Sequence, residues 1–188
     1  MSPSRLLLAL VSLLPVLHLA GCSQSEADAL AKARTKLESA DPNATRIELK
    51  SLIQAHPKSG EARLLLGLRL LDDGDSAGAV SELQRAIEFG AAESKALPPL
   101  AEALLLGGRF AQVTQTYAST RLPDSAAQAR LQAAVAQAEL AQGQTDAARN
   151  ALARALAAAS NSPQALLVKA RRKASRLNCC WFRKGPGL

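Results

Sequence analysis

Residues 60–90 read Gly60-Glu61-Ala62-Arg63-Leu64-Leu65-Leu66-Gly67-Leu68-Arg69-Leu70-Leu71-Asp72-Asp73-Gly74-Asp75-Ser76-Ala77-Gly78-Ala79-Val80-Ser81-Glu82-Leu83-Gln84-Arg85-Ala86-Ile87-Glu88-Phe89-Gly90. Two segments with helical spacing of apolar residues flank Gly74-Asp75, which has the chemistry of a turn. The turn recurs. Ala40-Asp41 lies 34 residues before it, Gly108-Arg109 lies 34 after it, and Gly143-Gln144 follows one residue late. A period of that length describes a two-helix hairpin that cannot bury its apolar face alone and must stack on copies of itself. The expected product is a binding scaffold rather than an enzyme.

With Gly60 as the first position, Leu66, Gly67 and Leu70 occupy positions seven, eight and eleven, and Ala79, Leu83 and Ala86 occupy twenty, twenty-four and twenty-seven. This alternation of large and small residues around a Gly-Asp turn resembles the tetratricopeptide repeat. The resemblance implies an all-α fold, a right-handed superhelical solenoid of antiparallel helix hairpins. It also implies that the small residue at position eight meets the one at position twenty, so that the two helices approach closely.

Neighbouring units keep the register. The one before runs from about Glu26 to Ser59, with Asp41-Pro42-Asn43 as its turn and Pro57 at its end. The one after, Ser94 to about Gln128, keeps Leu100-Ala101, Leu104, Gly108, Phe110, Val113 and Tyr117. A fourth, from about Ala129, keeps Gly143, Ala148, Leu152 and Ala155, and a fifth first helix begins at Pro163. The repeat region is thus expected over residues 26–176, about four units and part of a fifth.

Ahead of it, Arg5 precedes an apolar run from Leu6 to Leu17, broken by Pro15 and followed by Leu19-Ala20-Gly21-Cys22. The run is shorter than the roughly 20 residues of a spanning helix and ends in small residues, which is the order of a secretory signal. The tetrapeptide resembles the bacterial lipobox. That resemblance implies a signal peptide over 1–21, diacylglycerol and palmitate attachment at Cys22, and a lipidated N-terminus with a short spacer over 22–25. By resemblance to Gram-negative lipoproteins, Ser23 after the cysteine implies transfer to the outer membrane, with the protein facing the periplasm. Several acyl chains, at about 0.8 kcal/mol per buried methylene, make such an anchor stable.

Composition limits the alternatives. Alanine and leucine dominate and aromatics are 3%, an all-helical bias. The formal charge is +7, from 23 basic and 16 acidic residues. Seven of the basic residues are Lys169, Arg171, Arg172, Lys173, Arg176, Arg183 and Lys184, so the chain before them balances at 16 of each. A neutral body gives no basis for nucleic-acid binding. Cys179 and Cys180 are adjacent and poorly placed to pair, and no metal-ligand spacing occurs, so no metal and no cofactor are expected. Residues 177–188 lose helical periodicity and form an irregular basic tail, expected to mark a frameshift or truncation. Gly74-Asp75-Ser76-Ala77-Gly78 matches the serine-hydrolase elbow, but that motif needs a strand before it, where this sequence has a helix.

By the tetratricopeptide resemblance, positions two, five, nine, twelve and thirteen of each first helix point into a concave groove. These are Glu61, Leu64, Leu68, Leu71 and Asp72 in one unit, and Lys95, Pro98, Glu102, Leu105 and Leu106 in the next. Leu64 and Leu68 stand where carboxylate-clamping repeats carry Lys and Asn, which disfavours a chaperone-type clamp. Together with the lipobox, Leu97-Pro98-Pro99-Leu100-Ala101 and Ile87-Glu88-Phe89-Gly90 resemble the tetratricopeptide lipoproteins of the PEP-CTERM/exosortase system, over about residues 1 to 170. That implies protein partners in protein sorting or exopolysaccharide export, for which this chain would be an N-terminal portion. A pilus-biogenesis or outer-membrane-assembly lipoprotein is the alternative. Oligomeric state is not readable from the sequence.

Overall fold

The structure is a computed structural model that describes residues 25–37 and 42–171. The expected signal peptide, Cys22 and the 177–188 tail lie outside the described residues. Within them the chain is helical and carries no strand: α1 Glu26–Leu37, α2 Pro42–Ala55, α3 Gly60–Asp72, α4 Ser76–Glu88, α5 Glu93–Leu106, α6 Phe110–Tyr117, α7 Ser125–Ala141, α8 Thr145–Ala158, and a last helical stretch, α9, over residues 163–171.

The recurring turn has one geometry. At the end of α3, Gly74 N–H donates to Leu71 C=O and Asp75 N–H to Leu70 C=O, with Gly74 at φ 81°. This is the Schellman closure, which needs a left-handed residue and therefore favours glycine. Gly108 and Gly143 repeat both bonds one unit and two units later. Asp75 then caps α4 by accepting from Gly78 N–H at 2.9 Å. One turn thus stops a helix and starts its partner within four residues.

Packing follows chain order. Gly60, at the start of α3, lies against Ala86, Phe89 and Ala91 at the end of α4, so the two helices run antiparallel. α4 packs on α5, α7 on α8, and each odd-numbered helix from α1 to α7 touches the next odd-numbered one. Among α1 to α8, no helix contacts another more than two places away in this order. The core is therefore a continuous seam. Positions seven, eight, twenty and twenty-four supply it in three successive units: Leu66, Leu100 and Val135; Gly67, Ala101 and Ala136; Ala79, Val113 and Ala148; Leu83, Tyr117 and Leu152. Position eleven breaks the pattern, since Leu70 and Leu104 are succeeded by Glu139. Glu139 is only 7% exposed, and its Oε2 is buried with no hydrogen-bond partner.

Two polar clusters tie neighbouring elements together. Arg63 donates to Glu82 of α4 at 2.9 Å and to the Pro57 carbonyl at 2.8 Å, while its guanidinium lies 5.2 Å from the Phe89 ring centroid. At the C-terminus of α3, Asp73 hydrogen-bonds Arg69, which holds its carboxyl below the ordinary value against the opposing effect of burial. Arg46 of α2 adds a longer attraction at 3.8 Å.

Three local expectations change. Pro42 and Asn43 begin α2 rather than form the turn before it; proline's fixed φ suits a first helical turn. α7 begins at Ser125, ahead of the expected unit start near Ala129, because Asp124 caps it by accepting from Ala127 N–H at 2.7 Å. Finally, the nearest atoms to a Cβ on Gly67 belong to Leu83, at 2.6, 2.9 and 3.3 Å, not to Ala79. The tightest approach at position eight is thus to position twenty-four: the small residue makes room for a large buried neighbour.

Candidate partner-binding groove

Side chains of α3, α5, α7 and α9 line two hollows. Between α3, α5 and the N-terminal half of α7 lies an open groove of about 440 Å³. Leu64 and Leu68 of α3 and Pro98 of α5 form its apolar floor, and Glu61, Lys95 and Arg130 stand among its polar lining. A smaller hollow of about 120 Å³ follows between α5, α7 and α9, where Glu102, Leu105 and Arg130 meet Gln164 and Leu167. Arg130 borders both, so the two form successive parts of one surface.

Of the residues named from sequence, Glu61, Leu64, Leu68, Lys95 and Pro98 share the larger groove, and Glu102 and Leu105 share the smaller hollow. Leu64 is 2% exposed and belongs to the core as much as to the floor. Leu71 and Asp72 line neither: Leu71 packs partly buried against the core and Asp72 is exposed beside the turn. Leu106 is 64% exposed but also lies outside both.

Glu61 and Glu102 do not face the groove as free carboxylates. Glu61 accepts from Arg34 Nη2 of α1 at 2.7 Å. Both oxygens of Glu102 accept from Arg130 Nη2 of α7, each at 3.0 Å. Both pairs link position nine of one unit to position two of the next, with the charges reversed between them. All four side chains are substantially solvated, between 26% and 53% exposed. Ion pairs of that kind contribute about 0–1 kcal/mol. They orient the lining rather than hold the stack together, and a ligand could open them at small cost.

Arg34, Arg130, Gln164 and Leu167 were not singled out from sequence. The signal for them was available. Shifting Leu68 back by one unit gives Arg34, and carrying the one-residue delay of Gly143 through the fourth unit gives Arg130 from Lys95.

No family model matches this sequence, and no curated protein matches it. No described helix is long and apolar enough to cross a membrane. The described residues contain no group of three or more histidine, cysteine, aspartate or glutamate side chains arranged to hold a metal ion. Ser76, of the hydrolase-like motif, is the first residue of α4 and follows helix α3 across the turn.

Proposed function

We propose that this chain is a lipid-anchored tetratricopeptide solenoid of the bacterial envelope whose row of first helices binds protein partners. The observation that carries the reading is the recurrence, at one register, of the same hairpin: the Schellman turn at Gly74, Gly108 and Gly143, the buried residues at positions seven, eight, twenty and twenty-four, and the link between positions nine and two. Such an array has a long open face relative to its size, which suits it to hold a partner and not to enclose a small molecule. Acylation at Cys22 would tether that face to the outer membrane, on its periplasmic side. The role that fits the sequence resemblance is in PEP-CTERM/exosortase protein sorting or exopolysaccharide export.

Two experiments test this. Cys22→Ala is expected to abolish acylation and release the protein from membranes; an unchanged membrane fraction rejects the anchor. Leu68→Glu combined with Leu105→Glu is expected to remove partners that co-purify with the wild type, whereas Gln84→Glu, on exposed α4 surface, leaves them. Equal retention by both variants rejects the groove.

A further inference from the structure

Resting on that groove reading, we infer that the space between α3, α5 and α7 selects an extended peptide segment in which a bulky apolar side chain is flanked by an acidic one. The link between positions nine and two is present at the first unit boundary, as Arg34 with Glu61, and at the third, as Glu102 with Arg130. At the second boundary the same two positions hold Leu68 and Lys95. No carboxylate lies within ion-pairing distance of Lys95 among the described residues, and its side chain is exposed. The lysine is thus a position-two cation whose position-nine partner has been replaced by a leucine.

The other charges of this lining are already engaged. Glu61 is paired to Arg34, Arg130 donates to both oxygens of Glu102, and Asp124 accepts the Ala127 N–H as the α7 cap. Lys95 is therefore the one cation over the leucine floor without an ion-pair partner among the described residues, while Asp124 keeps its charge at the N-terminus of α7. An open groove of about 440 Å³ takes a large side chain together with its backbone neighbours. The best complement places an apolar side chain on Leu68 and Pro98 and an adjacent carboxylate on Lys95. That carboxylate supplies the missing member of the ladder. A basic peptide would instead meet Lys95 unpaired.

The test is selection of random linear peptides, displayed on phage, against the detergent-solubilised full-length protein and its Lys95→Glu variant, with helicity of both checked by circular dichroism. The wild type is expected to enrich peptides pairing Asp or Glu with a bulky apolar residue. Lys95→Glu is expected to bind those peptides at least about tenfold more weakly, a change of about 1.4 kcal/mol, and to favour basic ones. Enrichment without acidic residues, enrichment of basic residues by the wild type, no enrichment, or binding unaffected by Lys95→Glu each overturns the inference. Self-association lost in Lys95→Glu would replace the peptide by a second copy of the chain. None of these outcomes decides the broader groove reading, which fails only if Leu68→Glu with Leu105→Glu leaves its co-purifying partners in place.

Discussion

Gly67→Ala should destabilise the protein although alanine is the better helix former. A Cβ at this site would sit 2.6 Å from Leu83 Cγ, 2.9 Å from Leu83 Cδ2 and 3.3 Å from the Leu83 backbone nitrogen. Carbon atoms pack at about 3.5–4.0 Å, so Leu83 must retreat by roughly 1 Å. Leu83 is fully buried against the seam and its own main chain is close, so neither a rotamer change nor a small helix shift is free. Overpacking of this kind costs about 1–3 kcal/mol, and the gain from replacing a helical glycine returns about 1 kcal/mol. The net loss is about 0–2 kcal/mol. Gly107→Ala is the internal control, because the nearest atoms there are at 3.5 Å and its φ of −77° is ordinary for alanine. That variant should gain about 0.4–1 kcal/mol. Urea unfolding followed by far-ultraviolet circular dichroism should therefore separate the two by about 0.4–3 kcal/mol. If both variants are stabilised equally, the close approach of α3 and α4 at Gly67 is not as described.

Gly74→Ala should cost about 1–2 kcal/mol in the same assay, because its left-handed φ of 81°, and not crowding, is the obstacle; no change would mean that the Schellman turn is not formed. Glu139→Leu should stabilise by about 1–3 kcal/mol by removing a buried, partnerless carboxylate oxygen and restoring the leucine of its sister units; a loss would show that Glu139 has a partner essential to the fold. Because Arg69 lowers the Asp73 carboxyl in the folded state, its contribution is present above the unfolded carboxylate value and is lost as pH falls through the lower, folded one. Urea midpoints measured in the acid range should fall less steeply for Asp73→Asn than for the wild type, and parallel curves would remove Asp73 from the account.

The helical class and the hairpin positions were legible because the turn residues and the buried residues obey one period. Gly74 and Gly108 mark a backbone conformation that few residues tolerate, so sequence alone places them. Contacts between units were less legible. Glu61 and Glu102 carry the right register for a groove, but only the folded helices show that Arg34 and Arg130 neutralise them. Leu71 and Asp72 share α3 with Leu64 and Leu68 yet line neither hollow, because they lie at its last turn, where the chain leaves for α4. α7 starts ahead of the first position of its unit for a local reason: Asp124 caps it, and that chemistry outranks the 34-residue count. Spacing gives which residues are small, and only the folded helices show that Leu83 at position twenty-four is the nearest neighbour of Gly67.

The central claim is that the helices stack as an open array with contacts only between neighbours. Inserting a second copy of residues 59–92 after Ala92 tests it most directly, since the copy carries its own Ser59 cap, both helices and the Gly74 and Gly90 turns. An open array should accept the extra unit, with helicity per residue unchanged and stability equal or higher on urea unfolding. Loss of cooperative unfolding, or aggregation of the lengthened protein, would contradict the stack and with it the groove.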